Sequence, residues 1–159
     1  MATISFGDEE LFSERPEWAD VVPLEQYENI NPLAPIFYTE EYKDATNYFR
    51  AIAKSGEKSR RVLELTESVI SQNPAHYSAW QYRYETLLAL LTASSPSGVI
   101  SPSDPLLEAE IELMDVLAVR FLKTASSSSS HRSLDVDVKN YHTWSYRQWL
   151  LRLFRRQRR

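Results

Sequence analysis

Cysteine is absent from the 159 residues. That excludes disulfides, thiol catalysis and cysteine-based metal sites on this chain, and it suits a reducing compartment. Glycine is scarce, with 3 residues. This scarcity, with an even spread of Leu, Ala, Glu and Arg, favours helices over strands. No apolar run approaches the roughly 20 residues of a membrane span, so no span is expected. The acidic N-terminus is unlike a signal peptide, which makes the expected location cytoplasmic. There is no Gly-rich phosphate loop and no His-Glu-x-x-His. The histidines His76, His131 and His142 are not at metal-ligand spacing, so no metal site is expected here.

What is present is a repeated stretch. Tyr77-Ser78-Ala79-Trp80-Gln81-Tyr82-Arg83 returns as Tyr141-His142-Thr143-Trp144-Ser145-Tyr146-Arg147, and each copy runs into leucines. Asn73-Pro74 precedes the first copy and Lys139-Asn140 the second. Such self-similarity marks stacked helical hairpins. The copies lie 64 residues apart, whereas helix-pair repeats recur every 34 to 47 residues or so. A shortened unit is expected between them.

The net charge of -4 hides an asymmetry. Residues 1–50 carry 11 acids and 3 bases, and residues 120–159 carry 10 bases and 2 acids. A basic C-terminal half suits an anionic ligand or an acidic partner surface, or solvated helix faces.

Two regions follow from the proline spacing. Residues 1–38 are expected to form an extended arm, because Pro16, Pro23, Pro32 and Pro35 forbid a long helix. Trp18, Val21, Val22, Ile36, Phe37 and Tyr38 are too apolar for that arm to stay in water, so it should lie on its own helices or on a partner. Residues 39–159 should hold about five helices. The first runs near Thr39–Lys54, capped by Thr39, with Tyr42, Ala45, Phe49 and Ile52 inward and Gly56 as its stop. The second spans about Glu57–Gln72, with Val62, Leu65, Val69 and Ile70 inward. The third packs through Tyr77, Trp80, Tyr84, Leu87 and Leu91. Residues 94–103 read as a loop. Asp104 caps the fourth helix, with Pro105 at its first position and Leu107, Ile111, Met114, Leu117 and Phe121 inward. Ala125 and the serines 126–130 interrupt it as an exposed loop. The last helix begins near Val138 and carries Tyr141, Trp144, Leu151 and Phe154.

The repeat motif has a packing role. Tyr and Trp at i, i+3 put two rings on one face, so Trp80 and Trp144 should both be packed. Arg83 and Arg147 can pair with a helix C-terminus or an acid. The start of the last helix has a second possibility. Helix N-termini present free N–H groups and favour anions, and Lys139, Asn140, Tyr141 and His142 cluster there with donors suited to phosphate oxygens. Read from its residues alone, the chain is an α-helical repeat protein that binds something.

Three stretches then carry a resemblance: Trp18-Ala19-Asp20-Val21 leading to Pro35-Ile36-Phe37-Tyr38; Tyr42-Lys43-Asp44-Ala45 with Tyr48-Phe49-Arg50-Ala51-Ile52; and the repeats, above all Lys139–Trp149. Together they resemble the α subunit shared by protein farnesyltransferase and type I protein geranylgeranyltransferase, in a fungal-like form. The resemblance implies an all-α fold, a right-handed α-α superhelix of antiparallel hairpin repeats. It implies a prenyltransferase β subunit as partner, holding the catalytic zinc, with magnesium accompanying the diphosphate and no cofactor on this chain. The heterodimer would transfer farnesyl or geranylgeranyl from an isoprenoid diphosphate to a cysteine in the C-terminal motif of substrate proteins. By position Lys123 matches the family's catalytic lysine, and Asn140, Tyr141 and His142 its diphosphate-binding helix start. The pattern departs after Lys123-Thr124, where Ala125 and serines replace the expected Tyr-x-x-Trp-x-x-Arg. Most of one helix and its hairpin partner are therefore expected to be missing, and the repeats to stop short of the family's full number. Alone, such a chain should be inactive. The alternative is a non-enzymatic tetratricopeptide-like adaptor, against which stands the lack of a regular 34-residue period. Nucleic-acid binding would rest only on the arginine-rich tail, and none is expected.

Overall fold

The computed structural model describes residues 10–26, 33, 36–95, 104–127 and 141–156, leaving aside the side chains at 118, 120–127, 141–143 and 153–156. Among the described residues there is no strand. Five helices follow one another: α1 (Glu40–Ser55), α2 (Arg60–Gln72), α3 (Tyr77–Ser94), α4 (Pro105–Ser127) and α5 (Tyr141–Arg156). None is long and apolar enough to cross a membrane among the described residues.

Local chemistry sets the boundaries. The Thr39 hydroxyl accepts from the Tyr42 N–H, and Glu40 and Glu41 occupy the positive first turn of α1. Gly56 ends α1 at φ 76°, where its N–H reaches the Ile52 carbonyl. That left-handed conformation costs a residue with Cβ about 1–2 kcal/mol. The second helix starts at Arg60 rather than at Glu57: Ser59 precedes it in an extended conformation, and the Glu57 carbonyl accepts from the Tyr82 hydroxyl. Asn73 closes α2, and His76 caps α3, its Nδ1 accepting from the Ala79 N–H at 3.2 Å. Asp104 caps α4 by accepting from the Leu106 N–H at 2.9 Å. The expected stop at Ala125 is not observed; α4 takes in Ser126 and Ser127, since serine is only mildly unfavourable in a helix. Residues 128–140, with the rest of the serine run, lie outside the described residues.

The inward residues read from periodicity form one core. Ala45, Phe49 and Ile52 of α1 meet Val62, Leu65, Val69 and Ile70 of α2, and the core continues through Trp80, Leu87 and Leu91 to Leu107, Met114 and Leu117. Short connections make α1, α2 and α3 successive antiparallel neighbours. Helix α5 packs against both α3 and α4.

The arm is tied to its own helices. Two 3₁₀ turns, Phe12–Glu14 and Pro16–Trp18, bend it so that Phe12 and Trp18 enter the core against Tyr48. Buried aromatics remove about 150–250 Å² each, which at about 25 cal/mol per Å² is roughly 4–6 kcal/mol per ring before ordering entropy. Polar clamps fix the register: Arg61 holds both Asp20 oxygens at 2.7 and 2.8 Å, the Asp44 carboxylate accepts from the Phe12 N–H at 2.7 Å, and the Asn47 carbonyl accepts from the Leu24 N–H. The carboxyls of Asp20 and Glu57 lie below their ordinary values, chiefly through their hydrogen bonds with Arg61. The expectation that all six apolar arm residues leave water is not met. Val22, Ile36, Phe37 and Tyr38 are exposed, although Leu24 still reaches α1, donating to the Asn47 carbonyl and accepting from Arg50 Nε.

Candidate functional site

The first copy of the repeat motif is built into the core. Trp80 is buried and donates from Nε1 to the Pro74 carbonyl at 2.9 Å, which ties α3 to the α2–α3 connection. The Tyr82 hydroxyl lies 3.1 Å from the Ile52 carbonyl and 2.9 Å from that of Glu57, pinning α3 to the α1–α2 connection. Tyr77 departs from the expected packed face: at the first position of α3 it is exposed.

Arg83 is the centre of a buried polar cluster. It is 3% exposed, as is Glu110 of α4. The guanidinium grips Glu110 with both arms, Nε to Oε1 at 2.6 Å and Nη2 to Oε2 at 2.7 Å. Its remaining nitrogen donates to the Leu63 carbonyl and, at 3.2 Å, to the Thr66 hydroxyl of α2. Tyr146 of the second copy donates its hydroxyl to the same Glu110 oxygen at 2.8 Å. The Glu110 carboxylate of α4 therefore joins α3 and α5, and Arg83 extends the cluster to α2. Burial opposes the charge on Arg83, but Glu110 outweighs it and raises the guanidinium above its ordinary value. Burial, then the Glu110 charge, pushes the Tyr146 phenol well above its own. Arg83 stays charged and Tyr146 protonated, so the cluster binds helices together and offers no free base or nucleophile. Glu110 escaped the sequence reading. Its signal was an acid among Leu107, Ile111 and Met114, on the face that otherwise reads as apolar.

The second copy is held more loosely. Arg147 pairs with Asp115 of α4 at 2.9 Å, near the surface. The expected packing of Trp144 is not observed: it is 45% exposed where Trp80 is 4%. Tyr146 covers Trp80 with ring centroids 5.2 Å apart, and Trp149 meets Tyr84 at 4.2 Å, whereas no described residue does the same for Trp144.

The residues singled out for diphosphate chemistry lie at the ends of these helices. Lys123 falls in the last turns of α4, and Tyr141 and His142 open α5. Their side chains, and Asn140 altogether, lie outside the described residues. Tyr146 meets Glu110 and Arg147 meets Asp115, and these contacts join α5 to α4 side by side. Among the described residues no group of three or more His, Asp or Glu could hold a metal ion.

Comparison with known proteins adds the following. A family profile described as "Protein prenyltransferase alpha subunit repeat" matches residues 59–90 and 128–154. The first match spans α2 and most of α3, and the second reaches into α5. Over 79 residues, 50% of this chain and 24% of the relative, the chain is 57% identical to a protein farnesyltransferase/geranylgeranyltransferase type-1 subunit alpha of Dictyostelium discoideum. Over 137 residues it is 33% identical to the same subunit of Schizosaccharomyces pombe, covering 86% of this chain and 37% of that one. The chain thus spans well under half the length of these relatives. A solved Candida albicans protein geranylgeranyltransferase-I complexed with GGPP aligns with 86% of this chain and 49% of its own, at 25% identity and a TM-score of 0.43.

Proposed function

This chain carries protein prenyltransferase α-subunit repeats, and from that premise we propose that it serves as the α subunit, or part of it, in a heterodimeric protein prenyltransferase. The observation that carries the reading is the pair of matched repeats, the second of which includes the start of α5. The repeat type favours this reading over a tetratricopeptide-like adaptor.

The partner is a prenyltransferase β subunit, which supplies the zinc and the thiol substrate's binding surface. The heterodimer transfers farnesyl or geranylgeranyl from its diphosphate to a cysteine near the C-terminus of a substrate protein, in the cytoplasm. Magnesium accompanies the diphosphate. This chain's own part is electrostatic. As carbon–oxygen bond cleavage loads charge onto the departing diphosphate, a lysine ammonium and the N–H groups of a helix start meet that charge. Lys123 is the donor for that charge, with Asn140, Tyr141 and His142 binding the diphosphate. Support comes from the packing of α4 on α5 and from the basic, acid-free sequence of α5.

The test is co-expression with a β subunit, recovery of the complex through a tag on β, and single-turnover transfer to a peptide ending in the cysteine motif. A well-placed donor contributes on the order of 2–4 kcal/mol to such a step. Lys123→Ala should therefore slow turnover by roughly 30- to 1,000-fold while isoprenoid affinity changes little. Tyr141→Phe should cost less, because it removes one neutral donor. Failure to recover a complex would remove the subunit assignment. An unchanged single-turnover rate for Lys123→Ala in a recovered, active complex would leave the assignment and remove the catalytic role.

A further inference from the structure

The buried Glu110 stands between the two elements that carry the residues proposed for diphosphate. Helices α3 and α4 run antiparallel: the Ser94 hydroxyl at the end of α3 donates to Asp104 ahead of α4 at 3.4 Å, and Arg83, further back on α3, meets Glu110, further along α4. Helix α5 runs parallel to α3, since Trp80 meets Tyr146 and Tyr84 meets Trp149. Helix α5 is therefore antiparallel to α4, and Tyr141, its first residue, lies toward the end of α4 that carries Lys123.

Two polar ties from α4 hold α5 close to that first residue. Tyr146 donates to Glu110, and Arg147 pairs with Asp115. At about 1.5 Å per residue, Tyr146 and Arg147 stand about 7.5 and 9 Å along the helix from Tyr141. The ties differ in stiffness. Arg147 and Asp115 are both partly in water, where such a pair contributes little. Glu110 is buried and held through both oxygens by Arg83, which is fixed in turn by the Leu63 carbonyl and the Thr66 hydroxyl. A carboxylate gripped in this way cannot swing, so it offers the Tyr146 hydroxyl one position. Burial of Leu150 and the contact of Trp149 with Tyr84 hold α5 down, but apolar burial is non-directional and does not set a register.

We propose that Glu110 is a positioning residue for the diphosphate site, an inference that rests on the α-subunit reading given above. Through the Tyr146 hydroxyl it fixes how far along α4 the start of α5 stands. It thereby sets the spacing between the part of α4 that carries Lys123 and the helix start that carries Tyr141 and His142. Glu110 touches no substrate itself. Its effect is on geometry, and a misplacement of about 1 Å at reacting groups can slow a step on the order of 100-fold.

The experiment has two readouts. The chain has no cysteine, so nitroxide labels can be attached through Val119→Cys on α4 and Trp144→Cys on α5, both at exposed positions. Electron–electron resonance on the labelled chain alone then reports the spacing of the two helices. Two variants act on the joint. Glu110→Gln puts an amide nitrogen where Arg83 needs an acceptor, and Tyr146→Phe, the milder change, removes only the hydroxyl. Each should broaden or shift the distance distribution. Gly56→Ala, a destabilising change at the end of α1, should leave it as it was. In a complex recovered through β, the same two variants should lower the single-turnover rate about 10- to 100-fold, with isoprenoid affinity held within about threefold. Gly56→Ala should leave that rate unchanged, a separation that loss of stability alone does not produce. If Glu110→Gln fails to fold, Tyr146→Phe decides. An unchanged distance distribution overturns the proposal, as does a rate that falls equally in Gly56→Ala. An active complex with an unchanged rate in both joint variants overturns it alone, whereas failure to recover any active complex overturns the function proposed above and this inference with it.

Discussion

Replacing Arg83 by Met tests the buried cluster most directly. The change keeps a long unbranched side chain of helix-favouring type but removes the charge that faces Glu110. Glu110 is then left 97% out of water with only the Tyr146 hydroxyl as donor, and the Leu63 carbonyl and Thr66 hydroxyl lose a partner. Removing one member of a buried pair costs about 3–5 kcal/mol, a large share of the 5–15 kcal/mol that typically holds a domain together. At about 2–4 °C per kcal/mol for a chain of this size, the melting temperature should fall by roughly 6–20 °C. The double variant Arg83→Met/Glu110→Leu removes the stranded carboxylate and should regain most of that loss, because a buried pair is often no better than a packed apolar one. The assay is urea unfolding followed by far-UV circular dichroism, run as a double-mutant cycle with Tyr146→Phe as a further arm. Tyr146→Phe removes one hydrogen bond to a charged acceptor, about 1.5–3 kcal/mol. A loss under about 1 kcal/mol for Arg83→Met would show that water reaches Glu110. A double variant no more stable than Arg83→Met would show that the two groups are not coupled, and either result refutes the reading.

Other outcomes follow from named contacts. Burial holds the His76 imidazole below its ordinary 6.5, and its neutral Nδ1 caps α3; that contribution is complete above pH 6.5 and is lost as pH falls through the folded-state value. Unfolding titrations should show this slope, and His76→Asn, which keeps an N-cap acceptor, should abolish it. Gly56→Ala should cost about 1–2 kcal/mol in thermal unfolding through backbone strain alone, since nothing lies within 4 Å of the added Cβ. The depressed carboxyls of Asp20 and Glu57 support the arm above the ordinary carboxylate range, and protonation reverses that as pH falls below about 4. Limited proteolysis ahead of α1 should therefore accelerate at acid pH before α2 and α3 unfold.

The fold class was legible in the sequence because its causes are local. Helix content, the inward faces of α1, α2 and α4, the Thr39 and Asp104 caps and the Gly56 stop depend on residues within a turn or two of one another. Trp80 and Trp144 show where that reach ends. Their surroundings in sequence are near copies, and sequence pattern assigns both to the interior. Among the described residues Tyr146 of a later helix lies over Trp80, which is buried, while Trp144 is exposed. Arg83 poses the same problem: its charge and its place on α3 are plain from the sequence, but its pairing with Glu110 is 27 residues away and set by how α4 and α5 cross α3. The arm divides in the same way, since the sequence marks every apolar residue in it alike, yet Trp18 is buried while Val22, Ile36 and Phe37 are exposed. What the sequence determined by itself is the set of helices and their repeat kinship, through periodicity and spacing. What tertiary structure decided is which of the matching side chains are covered, because burial belongs to the neighbours a residue acquires and not to the segment that carries it.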